Sequence, residues 1–507
     1  MLARCVLLLI LGVASARLAE TAMAADARFE TAPCPRLSVK ALSGARCGYL
    51  VVPENRGRLD KTIRLLVAVI PALSARPAPD PVVYLAGGPG GIAVGEADLV
   101  VAAGINRDRD LVIMNQRGTF LSEPALTCQS IDDFNRELLA LRFYSETTKR
   151  AHLAATEACH RKLATSGAEL RAYNSSESAA DFADLRVVLG YAEWNVLGVS
   201  YGTDLAQVLM RDRPEGIRSV VLDSVVPVTM TIAEYWPNTR AGFHNLFRAC
   251  AAESACDAAY PRLEETFTAL VNNVESAPLM VTVRDPATQK VMRVTIDGGA
   301  LVDWLRNQSY STPALRDVPA LIAGLSAGRA EAIAAIATDR AGRAPPSNTA
   351  DPSAGYGLGF GVVCREQYPF ATRDDLAAAG RRAFPRYPTS LRDEAVGSWA
   401  YVDEDCRDIR KVPAAPDGDH RPVASGIPTL LVSGSFDAIT SLDGAKTAAT
   451  RLSNATIVDI PGIGHFVAPY SLCAQEVIAS FLASPATPNT SCVRTLSPPS
   501  FALTAPP

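Results

Sequence analysis

Asn195-Val196-Leu197-Gly198-Val199-Ser200-Tyr201-Gly202-Thr203-Asp204-Leu205-Ala206-Gln207 is the stretch whose reading decides the fold. Asn195–Val199 is a short, largely apolar run and predicts a buried strand. Tyr201–Asp212 carries the spacing of a helix. Between them stands G-x-S-x-G, Gly198 to Gly202. A chain of this length carries that pattern by chance about once in six, so the motif alone decides little. Set between a strand and a helix, it predicts a turn sharp enough to lift Ser200 Oγ clear of a sheet. The helix start then offers backbone N–H groups to a developing oxyanion. The competing reading is an ordinary helix N-cap serine.

Outward from this turn the pattern repeats. Cys47–Pro53, Ile63–Ile70, Pro81–Ala86, Leu111–Met114 and Ser219–Leu222 read as further strands, and Ser178–Tyr191 as a helix. From 230 to 424 the character changes to helices: Phe243–Ala252, Pro261–Val274, Gly299–Asn307, Ala314–Ala327 and Arg329–Ala337. Val281–Val283 and Val291–Thr295 predict a small hairpin, and Arg343–Gly361 reads as a loop. Strands and helices resume with Pro428–Val432, Leu442–Leu452, Thr456–Ile460 and Leu472–Leu482. Short apolar strands alternating with helices predict an α/β fold with a mostly parallel sheet covered on both faces. The interruption predicts one sheet domain in two segments, 25–229 and 425–507, carrying an inserted, mainly helical cap at 230–424.

A serine hydroxyl needs a base to become a nucleophile. The chain has five histidines. His465 follows the terminal strand in a glycine-rich loop, Gly462-Ile463-Gly464-His465, and is the expected base. His152, His160, His244 and His420 are expected to have surface or packing roles. The acid is expected after the strand before His465. Asp437, in Gly434-Ser435-Phe436-Asp437, fits this place better than Asp443, whose position at a helix start suits a first-turn charge. Gly87-Gly88-Pro89-Gly90-Gly91 follows another strand end, where bare backbone can aim amides at a ligand. The Gly88 and Tyr201 N–H groups are the expected oxyanion hole. Neither phosphate-binding glycine pattern is present.

Composition narrows the class. Of 507 residues 48% are hydrophobic and 20% charged, enough to bury a large core. Lys plus Arg number 49 against 53 Asp plus Glu, so the basic footprint of a nucleic-acid binder is lacking. Residues 1–24 read as a signal peptide: Arg4 supplies the charge, Cys5–Val13 the apolar run, and Ala22-Met23-Ala24 the favoured cleavage site, with Ala14-Ser15-Ala16 as the alternative. The run is too short for a membrane span of about 20 residues. An exported protein, periplasmic or secreted, follows. Removing Cys5 from 11 cysteines leaves ten, an even number suited to an oxidising compartment. Nearest-neighbour pairing staples local loops: Cys34–Cys47, Cys128–Cys159, Cys250–Cys256, Cys364–Cys406 and Cys473–Cys492. No Cys/His cluster has zinc-ligand spacing, and no metal or cofactor is called for.

The set of motifs resembles a known family. Gly87–Gly91 (GGPGG), Asn115–Gly118 (NQRG), Ser122-Glu123-Pro124, Gly198–Gly202 (GVSYG), Ser435–Asp437 (SFD) and Gly464-His465 are similar, in order and spacing, to secreted α/β-hydrolases of the prolyl and tripeptidyl aminopeptidase branch. The stretch GVSYGTDLAQ and the Cys-bearing C-terminal segment look most like the tripeptidyl side. The resemblance implies an α/β-hydrolase fold and a serine peptidase that releases residues or tripeptides from free N-termini. A carboxylate in the cap would then meet the substrate ammonium; Glu366 is the first candidate and Glu234 the second. Two positions depart from the family: Asn115 stands where Asp is usual, and Phe120 where Gly is usual. Both belong to the loop support rather than the triad. An exported carboxylesterase with the same triad is the alternative, because the elbow does not separate esters from amides. A non-catalytic binding protein on this fold is the distant one, and it is expected to lack Ser, Asp or His at one of the three places.

Overall fold

The computed structural model describes residues 27–345, 354–407 and 413–504. The expected signal peptide, 1–24, lies outside the described residues. Nine strands form one sheet in the order β1-β2-β3-β5-β4-β6-β7-β10-β11. They are β1 (Arg28–Thr31), β2 (Arg46–Asn55), β3 (Arg58–Ile70), β4 (Val82–Leu85), β5 (Leu111–Met114), β6 (Trp194–Val199), β7 (Ile217–Asp223), β10 (Thr429–Gly434) and β11 (Ala455–Ile460). β1, β2 and β3 run antiparallel, and from β5 to β11 every neighbouring pair is parallel.

β4 and β6 are buried along their whole length. Alternate residues feed opposite cores, as the period of a strand dictates. Val196 packs on one side with Phe182, Tyr201 and Leu205, while Leu197 and Val199 pack on the other with Ala97, Val477 and Phe481. The sheet is therefore covered on both faces, and the fold is that of an α/β-hydrolase.

β7 and β10 are parallel neighbours, with Val220 opposite Thr429. Between them the chain leaves the sheet for a long excursion. It contains helices Tyr235–Ala252, Leu263–Ser276, Gly298–Gln308, Val318–Ser326 and Ala330–Gly342, and a hairpin of β8 (Leu279–Arg284) and β9 (Val291–Ile296). Some local expectations are corrected. Helices Gln129–Glu137 and Glu146–Thr165 occupy a stretch where no element was expected. Tyr356–Val362, inside the segment read as a loop, is helical. Its glycines are there for close approach: a Cβ at Gly361 would lie 1.9 Å from the Tyr173 carbonyl oxygen, and one at Gly357 2.5 Å from Leu126 Cβ.

Cys34–Cys47, Cys128–Cys159, Cys250–Cys256, Cys364–Cys406 and Cys473–Cys492 are disulfide-bonded. Among the described residues no helix is long and apolar enough to cross a membrane.

The strand–helix turn is pressed against β4. A Cβ on Gly202 would sit 1.9 Å from the Leu85 carbonyl oxygen, and one on Gly198 2.3 Å from the Gly202 oxygen. Gly202→Ala should therefore destabilise the protein by about 1–3 kcal/mol through overpacking, read as a lower urea midpoint. An unchanged midpoint would show that the helix is not seated this tightly.

Candidate active site

Ser200 links β6 to helix Tyr201–Asp212 with φ 55° and ψ −128°. Its side chain makes no capping hydrogen bond, which removes the N-cap reading. Its amide donates to the Asp223 carbonyl at 3.1 Å, and its carbonyl accepts from the Thr203 amide at 2.8 Å. The turn is thus anchored from both sides with Oγ left free of helix duties. The Gly87–Gly91 loop folds directly onto it: a Cβ at Gly87 would come within 2.9 Å of Ser200 Cβ. Gly88 takes φ +117°, a region glycine enters without penalty. Among the described residues neither the Gly88 nor the Tyr201 amide donates to a backbone acceptor.

Asp437 follows β10 by a short turn and is buried. Its carboxylate accepts from the Ile439 and Thr440 amides at 2.7 and 3.0 Å, from Thr440 Oγ1 at 2.7 Å and from His465 Nδ1 at 2.8 Å. Burial pushes this carboxyl up, but His465 and the Thr440 donors outweigh it and hold the group below its ordinary value. A carboxylate at Nδ1 fixes the proton there and leaves the Nε2 lone pair available. Nε2 is buried without a hydrogen-bond partner and faces the same cavity as Ser200. Asp443 has an exposed side chain and pairs with Lys446 at 2.9 Å.

The excursion holds this arrangement in place. The His465 amide donates to the Ser309 carbonyl at 2.6 Å, Ser309 Oγ accepts from the Ala438 amide at 3.1 Å, and Tyr310 packs edge-on against the imidazole at 5.0 Å. From the sheet side, Asp223 at the end of β7 accepts from the Val467 and Ala468 amides at 2.8 and 2.9 Å, and Ser224 Oγ accepts from the Phe466 amide at 2.8 Å. Asp223 and Thr440 were not singled out from sequence. An acid closing a strand, Leu222-Asp223-Ser224, was the available signal for the first.

A cavity of about 570 Å³ opens over Ser200 and His465. Tyr356, Phe360, Trp399 and Tyr401 supply aromatic wall, and three carboxylates line it: Glu96, Asp303 and Asp405. Glu96 accepts from Tyr84 Oη. Asp405 accepts from His152 Nε2 at 2.7 Å and Thr156 Oγ1 at 3.1 Å. Asp303 has no cation within salt-bridge distance among the described residues. Burial raises its carboxyl above the ordinary range, against the pull of Arg340, Arg306, Asn307 and Arg343.

Glu366 does not reach this cavity, which corrects its expected role. It caps helix Ser175–Val188, accepting from the Ser175 amide at 2.9 Å and Ser175 Oγ at 2.5 Å. Glu234 is likewise spent, on a capping box with Thr231. Of the remaining histidines, His152 is buried, stacks on Tyr401 at 4.6 Å and lines the cavity. His160 packs edge-on against Phe360, His244 is near Glu264, and His420 stacks on Phe370. Asn115 explains its own departure: its Oδ1 accepts from the Val94 amide at 3.0 Å and its Nδ2 donates to the Phe120 carbonyl at 2.6 Å, a donation a carboxylate cannot make. Arg117 is buried and forks onto Asp181 at 2.8 and 2.7 Å.

Residues 394–493 match the family described as TAP-like protein. The serine protease Hip1 of Mycobacterium tuberculosis is 25% identical over 504 residues, covering 93% of this chain and 92% of that protein. The tripeptidyl aminopeptidase of Streptomyces coelicolor is 26% identical over 438 residues, 82% of this chain and 76% of that one. The chain is a serine hydrolase related to these peptidases. The proline iminopeptidase structure of Mycobacterium smegmatis aligns with 86% of this chain and 98% of its own, at 14% identity and a TM-score of 0.37.

Burial raises the Asp223 carboxyl to about 6, more than the Val467, Ala468 and Ser224 hydrogen bonds and His465 lower it. The folded state therefore holds this proton more tightly than the unfolded chain. The stabilising share is complete below about pH 4 and is lost as the pH rises through about 6. A shift of this size is worth about 3 kcal/mol. Asp223→Asn removes the titration, so the stability of the wild type relative to the variant should fall from about pH 4 to about pH 7. Paired urea melts read this, and a flat difference counts against a proton on Asp223.

Proposed function

We propose that this serine hydrolase is an exported aminopeptidase that releases tripeptides from free N-termini through Ser200, His465 and Asp437. In this reading His465 Nε2 takes the Ser200 Oγ proton as Oγ bonds to the scissile carbonyl carbon. The Gly88 and Tyr201 amides receive the oxyanion. The C–N bond then breaks as Nε2 returns its proton to the leaving amine, and water hydrolyses the acyl-serine by the reverse path. Asp437 holds the imidazole orientation and balances its charge. Residues 230–424 serve as the cap that encloses the substrate. The five disulfides support export, because such bonds persist in oxidising compartments.

The observation that carries the peptidase reading is Asp303, a carboxylate on the cavity wall with no cation within salt-bridge distance among the described residues. It takes the role first given to Glu366. Asp303, Asn307 and Tyr310 follow one face of the helix and its final turn, and Tyr310 touches His465. From Asp303 to the helix end at Gln308 the axis rises roughly 8 Å, and Tyr310 lies just beyond it. Three residues of extended peptide span roughly the same length. In this reading a tripeptide whose ammonium meets Asp303 presents its third carbonyl at the serine, which lines the same cavity.

The test is hydrolysis of matched chromogenic substrates: a free-amine tripeptidyl amide, a free-amine prolyl amide, their N-acetyl forms and a short acyl ester. The tripeptidyl amide should be the best substrate, and acetylation should abolish its cleavage. Ser200→Ala should remove nearly all turnover while the fold is kept. Asp303→Asn should lower kcat/KM for the free-amine tripeptide by roughly 10–100-fold, the worth of a charged hydrogen bond, and leave the ester rate alone. Ester turnover indifferent to acetylation would make the protein a carboxylesterase instead. Retained activity in Ser200→Ala would overturn the nucleophile.

A further inference from the structure

Arg306 lies on the same helix as Asp303 but lines a second, smaller pocket, about 60 Å³, on another side of Ser200. That pocket includes Gly88, Tyr201 and Thr440, so it touches the expected oxyanion site and the Asp437 loop. Arg306 is only 5% exposed. Among the described residues its side chain makes no hydrogen bond and no ion pair within 4 Å, and its Nε is buried without a partner.

The other buried arginines are all satisfied. Arg109 donates to Asp80 at 3.0 Å, Arg117 forks onto Asp181, Arg186 donates to the Tyr191 carbonyl at 2.9 Å, and Arg340 to the Thr295 carbonyl at 2.5 Å. A buried guanidinium without partners is costly, and proteins ordinarily pair it. Here the surroundings make room for the cation, while the acid that feels its charge, Asp303, lies beyond ion-pair distance and faces the other cavity. Gly397, at φ +85°, is bare against the guanidinium: a Cβ there would lie 2.3 Å from Nη1 and 2.4 Å from Cζ. The pocket lining contains no Asp or Glu. The group that fits is an anion arriving with the substrate, and a planar carboxylate matches the guanidinium fork.

We propose that Arg306 is a specificity-determining residue that binds a substrate carboxylate beside the scissile bond. This rests on the reading of Ser200 as the nucleophile. Two sources share the chemistry: an Asp or Glu side chain on the residue that acylates Ser200, or the free carboxyl of a short leaving group.

Calorimetry on Ser200→Ala protein separates this from catalysis, since binding is read without turnover. Tripeptides ending in Asp or Glu should bind at least tenfold tighter than those ending in Asn or Gln. Adding Arg306→Gln should erase that ratio, and Arg306→Lys should keep part of it. A parallel arm uses intact tetrapeptides ending in a carboxylate or a carboxamide. An Arg306-dependent preference in either arm supports the subsite and names its source. Equal binding in both arms, or a ratio unmoved by Arg306→Gln in protein whose melting is unchanged, overturns it. With wild-type protein, failure to cleave peptides that still bind would instead fail the nucleophile reading.

Discussion

Ser200 is held at a backbone conformation that an L-residue visits only under compulsion, at a cost of roughly 1–3 kcal/mol. Glycines make this possible. Gly198 and Gly202 let the strand and helix close on each other, and Gly87 lets a second loop lie across the serine. With those contacts fixed, the helix start and the Gly87–Gly91 loop converge on the space in front of Oγ. Rigid, pre-aimed donors of this kind are where acyl-transfer sites draw most of their power. The sheet supplies the rigidity, since β4 and β6 are buried on both sides.

The imidazole is held by two bodies rather than one. Asp223 and Ser224, at the end of β7, bind the backbone just after His465, and Ser309 in the excursion binds the His465 amide itself. Ser309 also accepts from Ala438, next to Asp437. The excursion is therefore more than a cover, because removing it would take away support for both His465 and the loop of Asp437. The same helix that ends at this contact carries Asp303 and Arg306, one toward each pocket.

The elbow, the glycine loop and the strand ends at 437 and 465 were legible in the sequence because each is local. A turn of that shape needs glycine at fixed offsets, and an apolar run before it announces the strand. Asp303, Arg306 and the His152–Asp405 pair were not legible. Each is an ordinary polar residue on a helix, and only the packing of one helix on another decides which way it faces. Glu366 shows the same limit from the other side. Its place beside Cys364 suggested the cavity, yet the short turn there aims it at the open end of helix Ser175–Val188, whose orphan amides needed an acceptor. Tyr356–Val362 misled for a related reason: glycines that read as chain breakers are spacers for tight contact.

Cys364–Cys406 closes a loop of 42 residues that includes Trp399, Tyr401 and Asp405 on the cavity wall. By the chain-entropy estimate this closure is worth about 4 kcal/mol. The bond forms only where thiols can be oxidised. Newly made chain in a reducing cytosol thus has a complete strand–turn–helix around its serine but an unclasped wall around its substrate chamber. Formation of this bond therefore fixes the course of the cavity wall as well as adding to stability, so the shape of the chamber and the oxidation of the chain share one covalent step.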